Sequence, residues 1–406
     1  MMHAQLKRAA AVCVLALLLL IPAAIRHTRQ QAAGRLPTVS VRQAREDTPY
    51  IKIGVYASLT GYASQLGGMG QQGIRLAVED VNSSGGIKGK EIRLIEYDDQ
   101  TSGQAAVSAV QKMIEEDRVD AIIGSHTSGN IIQTSQLTEQ AHILQIGLGT
   151  SYIWTDVGKK YLFRAVANSK YFDELLLSAM ERQGGRRIGI FYSDTEYAES
   201  GAEHMVSLIA EQPEMELVWM KSHKIDQVDY TQVFTGLMYM NVDSLVLYTS
   251  SENAALQLRQ LRQAGFQGEV YAPESFANSE VRRAAGTAAE GLVYACGNSI
   301  PDAPLEAVTS EERSFLIKFI RRYGTMPVAE TAYRGYDALM ILAEAMNRAD
   351  SLESDDVLAA LLSIDNYKGI GGTFDFTDGT GDGLRTARLF RVVNGKPALF
   401  TVKKQR

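Results

Sequence analysis

The sequence predicts an α/β protein of two doubly wound parallel-sheet lobes. Three observations lead there. From residue 50 onward, short apolar or β-branched runs alternate with longer stretches of helical periodicity; the alternation runs through twice; and a hairpin pattern near the end belongs to neither series by itself. Length and composition agree, since 406 residues of which 45% are hydrophobic supply enough apolar material for two cores of ordinary size.

The first series places strands at residues 51–57, 92–97, 121–124 and 143–146, with helices at 71–82, 103–116 and 131–140 between them. One lobe is nearly complete by residue 165. The second series places strands at 188–192, 217–221, 244–248 and 269–271, separated by helical stretches such as 202–211 and 254–265. After Cys296 come helices at 311–323 and 330–348, Gly- and Asp-rich turns around 371–383, and a hairpin of 388–393 with 398–403. A chain that crosses between two similar lobes more than once accounts for this tail. It leaves a cleft along the carboxyl ends of two sheets, the usual place for a small ligand in such folds.

Ahead of the lobes, Lys7 and Arg8 precede an apolar run at residues 9–25, which reads as the n-region and h-region of a secretory signal. A clean small-x-small cleavage site is missing and the run is slightly short for a membrane span, so a cleaved signal and an uncleaved anchor both stay open. The arginines that follow the run count against an anchor in this orientation. Residues 26–49 read as a polar linker. Up to residue 49 the chain has seven basic residues against two acidic, a net of +5, which leaves −11 for the rest of a chain of formal charge −6. That acidic body excludes a long polyanion, and nucleic acid with it.

Metal and covalent chemistry find little support. Cys13 lies inside the apolar run and Cys296 is the one thiol of the globular part, so no internal disulfide and no paired-Cys zinc site is expected. The six histidines show no HExxH spacing. Gly68, Gly70 and Gly73 have the spacing of a dinucleotide fingerprint, and the following strand ends in Asp98-Asp99. Yet about ten residues separate the strand end at Ala57 from Gly68, where that mechanism needs the glycines directly at the strand end. The glycines are therefore assigned to loop geometry. No Gly-x-Ser-x-Gly elbow occurs, and His126 is adjacent to hydroxyls in sequence without being placed as their base. What the segment 124–129 offers is a strand end followed by a hydroxyl-rich loop opening a helix, a place for a carboxylate, unless Thr127 or Ser128 caps the helix instead.

The segments Asn82-Ser83-Ser84-Gly85-Gly86-Ile87-Lys88-Gly89, then Ile92-Arg93-Leu94 and Asp98-Asp99, resemble the first lobe of the leucine/isoleucine/valine-binding proteins. These are type I periplasmic solute-binding proteins, the amino-acid receptors of ABC importers. Residues 51–54 leading to Leu59-Thr60-Gly61, residues 192–201 and 254–265, and Pro273-Glu274-Ser275 extend the resemblance to the C-terminal hairpin. Each motif is weak alone; their order and spacing are specific.

The resemblance implies roles for particular residues. Ser128 would receive the α-carboxylate of an amino acid together with the helix amino end; the Gly149 carbonyl would take the α-ammonium; Ser151 would contact the same head group. From the second lobe, Tyr197 matches the aromatic clamp and Glu274 the acid that pairs with the ammonium. The residue types suit a zwitterion, which needs acceptors for three N–H donors and donors for two oxygens. Departures bear on specificity: Leu66 stands where an aromatic lines the pocket, His126 replaces an apolar residue, Thr101 and Thr127 occupy positions where some relatives carry a disulfide, and Trp154 is a candidate for the wall. Another amino acid, an amide or a related carboxylate stays open beside the branched-chain ligands.

The resemblance also implies the type I periplasmic binding fold with three hinge crossovers, near residues 164–168, 294–298 and 383–387. Lobe 1 would comprise 50–165 plus 297–385, lobe 2 would comprise 166–296 plus 386–406, and 1–49 would be the signal or anchor segment and linker. The expected function is an exported, non-enzymatic receptor, periplasmic or otherwise extracytoplasmic, that closes on a small ligand and delivers it to an ABC permease or another membrane partner. No cofactor, metal or nucleic acid is expected. A sensing module of the same fold and an enzyme using the cleft are the alternatives.

Overall fold

The computed structural model describes residues 49–401. The apolar run at 9–25, Cys13 and the linker up to residue 48 lie outside the described residues, as do residues 402–406. Among the described residues, no helix is long and apolar enough to cross a membrane.

The first series is β1 (Tyr50–Ala57), α1 (Ser64–Ser83), β2 (Glu91–Asp98), α2 (Gly103–Lys112), β3 (Ala121–Ile123), α3 (Ser128–Gln140), β4 (Gln145–Gly147), α4 (Ile153–Asp156) and β5 (Leu162–Ala167). The second is α5 (Ser169–Arg182), β6 (Arg187–Ser193), α6 (Glu196–Ala210), β7 (Glu216–His223), α7 (Thr231–Leu237), β8 (Ser244–Tyr248), α8 (Ser251–Gln263), β9 (Glu269–Ala272), α9 (Ser279–Ala285) and β10 (Val293–Cys296). The tail adds α10 (Ser310–Tyr323), α11 (Thr331–Arg348), α12 (Ser354–Leu362), the two-stranded ribbon β11 (Tyr367–Lys368) and β12 (Thr373–Phe374), then β13 (Asp382–Leu384), β14 (Arg388–Val393) and β15 (Lys396–Leu399).

Two larger sheets carry the fold. The first runs β13-β5-β4-β3-β1-β2 and is parallel throughout. The second runs β15-β14-β10-β9-β8-β6-β7, parallel except for the antiparallel edge of β10, β14 and β15. This bears out the expected α/β class with parallel-dominated sheets. Interior strands such as β8, Ser-Leu-Val-Leu-Tyr, are buried at every position, as a parallel strand covered on both faces requires. In each sheet the leading strand lies between the second and third of its series, β2-β1-β3 and β7-β6-β8. The strand order therefore reverses at β1 and at β6, and the loops leaving the carboxyl ends on either side of those points flank a crevice.

The chain moves between the sheets three times. After β5 it passes through Asn168 into α5, which packs on α6; after β10 it returns to form α11 along α1; after β13 it passes through residues 385–387 to β14. Two of these passages are tied together. Arg164 on β5 donates from Nε to Asp382 Oδ1 at 2.7 Å, and Asn168 Nδ2 donates to Asp382 Oδ2 at 2.6 Å.

Several boundaries differ from expectation, each for a local reason. Helix α1 begins at Ser64 instead of residue 71, and the three glycines of the fingerprint lie inside it. They do not serve loop geometry. A methyl group at Gly73 would run into the carbonyl oxygen of Ala332, one at Gly335 into that of Gly70, and one at Gly70 into the His126 ring. Gly73 and Gly335 thus let α1 and α11 cross backbone to backbone, Gly70 leaves room for the imidazole, and Gly68 meets only open space. Helix α2 gives way at Met113 to a π-helical turn through Asp117. Helix α6 starts at Glu196, ahead of residue 202, because the Thr195 hydroxyl accepts from the Ala198 N–H and caps it. The last strand is Lys396–Leu399 in place of 398–403, since Asn394 and Gly395, both at positive φ, close the hairpin in a two-residue turn.

Candidate functional site

Loops from the carboxyl ends of both sheets enclose a cavity of about 300 Å³. That is a size for a small organic molecule. The loop after β1 and the start of α1 bring Tyr62 and Leu66; the loop after β3 brings His126, Thr127 and Ser128; the loop after β4 brings Thr150. From the second sheet come Glu196 and Tyr197 after β6, residues 249–252 after β8, and Glu274 after β9. Glu330, the residue just before α11, and Arg334 in its first turn close one side.

Of the residues singled out in the sequence, the structure brings Leu66, His126, Thr127, Ser128, Tyr197 and Glu274 to this one cavity. Gly149, Ser151 and Trp154 do not line it. The Gly149 carbonyl, expected to accept from an ammonium, accepts instead from Arg164 Nη1 at 2.7 Å. Arg164 Nη2 holds the Ser151 carbonyl at 2.7 Å, and the guanidinium lies 3.7 Å over the Trp154 ring. Trp154 is fully buried with Ile131 and Leu162, packing beneath the loop. The Ser151 hydroxyl is turned toward Glu196 Oε1, 2.8 Å away, and Ser200. Along an extended loop neighbouring side chains face opposite ways, so Thr150 is the one on the cavity wall.

Helix α3 opens on the cavity with no side-chain cap. Thr127 is the N-cap residue, but its hydroxyl pairs with Ser125 Oγ at 3.0 Å instead of turning back to the helix. Ser128 Oγ accepts from the Ser151 N–H at 3.2 Å, which leaves its own proton free to donate. The amino end of a 13-residue helix beside a hydroxyl donor is a place for a carboxylate.

Across the cleft, Glu274 accepts from Tyr197 Oη at 2.8 Å and from Thr150 Oγ1 at 2.6 Å, the latter bond joining the two lobes. Burial, and then the Glu274 charge, push the Tyr197 hydroxyl well above its ordinary pKa, so it stays protonated and donating. Arg334 was not visible as a site residue. Its Nη2 lies 3.8 Å from Glu274 Oε1 and also pairs with Glu330, while Nη1 donates to the Leu148 carbonyl at 3.1 Å. The i,i+4 spacing of Glu330 and Arg334 is the sole signal in the sequence, and it describes a surface pair equally well. His126 is only 9% exposed and neither ring nitrogen has a partner. Burial, with Arg334 nearby, lowers its pKa to about 3, so the ring is neutral at physiological pH. Among the described residues no group of His, Cys, Asp and Glu could hold a metal ion, and Cys296 is a buried free thiol.

Known proteins share this fold. Residues 50–397 match the family described as periplasmic binding protein. A Leu/Ile/Val-binding protein homologue of Brucella melitensis is 23% identical over 350 residues, covering 80% of this chain and 85% of that protein. The leucine-specific-binding protein of Salmonella typhimurium is 25% identical over 303 residues, covering 74% and 80%. Among solved structures, the branched-chain amino acid transporter substrate-binding protein LivJ of Streptococcus pneumoniae, in complex with isoleucine, superposes with a TM-score of 0.78 at 22% identity over 87% of this chain and 99% of that one. A solute-binding protein of R. palustris in complex with benzoate gives 0.77 at 18% identity over 86% and 95%.

Proposed function

We infer the function from the family to which this chain belongs, the periplasmic binding proteins of the Leu/Ile/Val-binding type, together with the geometry of the cleft. The protein works outside the cytoplasmic membrane as a solute receptor that closes on a small amino-acid-like ligand and presents it to an ABC permease, releasing it unchanged. One observation carries this reading. A carboxylate site from one lobe, the open end of α3 with Ser128, and a cation site from the other, Glu274 with Tyr197, face each other across a single cavity. A ligand that touches both walls binds the closed arrangement more tightly than an open one, and that difference is what shifts the equilibrium.

Carried over from the family, Ser128 receives the α-carboxylate and Glu274 the α-ammonium, with Tyr197 against the head group. Leu66, Thr127 and His126 line the remainder and bear on the side chain. A thermal-shift screen of free amino acids, amides and short carboxylates tests the reading. Free ligand at about 100 times its Kd stabilises the native state by about 2.7 kcal/mol. No shift with any zwitterion at millimolar concentration would refute it, and recovery of a chemically altered ligand after denaturing the complex would point to catalysis instead.

A further inference from the structure

The charges on the cavity wall do not balance. Five acids line it, Asp194, Glu196, Glu252, Glu274 and Glu330, against the single cation Arg334, His126 being neutral. Asp194 is compensated from outside by Lys224 at 2.8 Å and by the Ile225 N–H at 2.8 Å. Glu274 and Glu330 share one guanidinium. Glu196 and Glu252 pair with no cation among the described residues. Burial raises the pKa of Glu196, Glu252 and Glu330 alike, outweighing the charge of Arg164 at Glu196 and of Arg334 at Glu330.

Glu196 is the sharpest case. Its Oε1 accepts from Ser151, but its Oε2 is buried and has no donor. Its place as first residue of α6 favours an acid there, yet does not account for an oxygen turned inward without a partner. Two donors lining the same cavity from the other lobe are also unpartnered: Asn130 Nδ2, on a side chain 4% exposed in the first turn of α3, and Arg334 Nε, on one 6% exposed. Unpaired donors on one side of the cleft, and on the other an unpaired carboxylate oxygen of Glu196 beside a Glu252 that has no cation, call for a ligand with both an anionic and a strongly cationic part. Burial, and then the charges of Glu252, Asp99 and Asp194, push the hydroxyl of Tyr62, on the same cavity wall, up to about 12. An aromatic ring next to carboxylates suits an ammonium or guanidinium group.

We propose that the ligand is a basic amino acid, whose side-chain cation is set against Glu196 and Glu252 while its α-carboxylate lies at the open end of α3 by Asn130. The proposal rests on the receptor reading above and names the ligand class of the same site. A zwitterion of no net charge would leave the excess of negative charge enclosed in a cleft where attraction and repulsion are stronger than in water; a ligand of net charge +1 relieves it.

Calorimetric titration of the intact protein with arginine, lysine and leucine at neutral pH tests this. Arginine or lysine is expected to bind at least tenfold more tightly than leucine. Glu196→Gln and Glu252→Gln, made separately so that one misfolded variant leaves the other informative, are each expected to weaken the basic ligand at least tenfold more than leucine. Leucine binding as tightly as both basic probes, or an equal loss for all three ligands in both variants, overturns the inference and leaves the receptor reading standing. Failure of every free amino acid to bind overturns both.

Discussion

Replacing Glu274 with Gln keeps the shape of the side chain and one acceptor oxygen while removing its charge. Glu274 is 16% exposed and its Oε1 lies 3.8 Å from Arg334, so at an effective dielectric of about 20 that contact alone amounts to about 4 kcal/mol before desolvation is subtracted. Arg334 keeps Glu330 in the variant, and the free protein loses only part of that attraction. For the ligand, losing one partner of a buried charged pair costs about 2 to 5 kcal/mol. The lower end applies here, because Glu274 already draws on Tyr197, Thr150 and Arg334. About 2 kcal/mol is roughly a thirtyfold loss of affinity. Calorimetry with the best amino-acid ligand and with its analogue lacking the ammonium separates two effects. Because the Thr150 bond spans the lobes, a pure closure defect would weaken both ligands equally; removal of the ammonium site weakens only the zwitterion. A change within about twofold for the zwitterion, near 0.4 kcal/mol, would mean that Glu274 does not receive the ammonium.

Three further outcomes follow from the same structure. Asp382→Asn leaves Arg164, whose side chain is fully buried, without its counterion and should cost about 3 kcal/mol in urea denaturation; a cost under about 1 kcal/mol would show that the carbonyls of Gly149 and Ser151 suffice to hold it. Within one glycine motif the effects should oppose each other: Gly68→Ala meets open space in a helix and should gain up to about 1 kcal/mol, whereas a methyl at Gly73 meets a backbone carbonyl and should lose about 1 to 3 kcal/mol, and equal thermal shifts for the two would contradict the close crossing of α1 and α11. Asp337 is buried and its pKa is raised to about 7, so the folded state holds its proton more tightly than the unfolded one; this contribution to stability is full below about pH 4 and is lost as pH rises toward 7, at about 1.4 kcal/mol per unit while it titrates. Asp337→Asn should flatten that part of the pH profile of the urea midpoint, and parallel profiles would rule out Asp337 as its source.

The alternation of strands and helices was legible because parallel strands buried on both faces must be apolar and their helices amphipathic, and both patterns are local. Sheet order is a matter of which strand lies beside which, and no local pattern records that β1 sits between β2 and β3. The glycines of α1 misled for a physical reason: the property that suits glycine to loops, the absence of a side chain, also suits it to a helix crossing, and the second helix lies more than 250 residues further on. The hydroxyl and acid at Ser128 and Glu274 could be picked out through the family motifs around them. Arg334 could not, since what places it in the cleft is its reach to Leu148 and Glu274, residues far away in sequence. Thr150 was missed by one position, because the Arg164 clamp on the carbonyls of Gly149 and Ser151 fixes which way the loop faces.

Closure of the two lobes on a small amino-acid ligand is the proposed mode of action of this protein. Small-angle X-ray scattering of the protein, titrated with the amino acid that gives the largest thermal shift, reads that closure as a change of size. The radius of gyration is expected to fall as the site fills and to reach a plateau at the ligand concentration where calorimetry shows saturation. A radius that stays the same at saturating ligand would contradict closure, and with it the receptor mechanism.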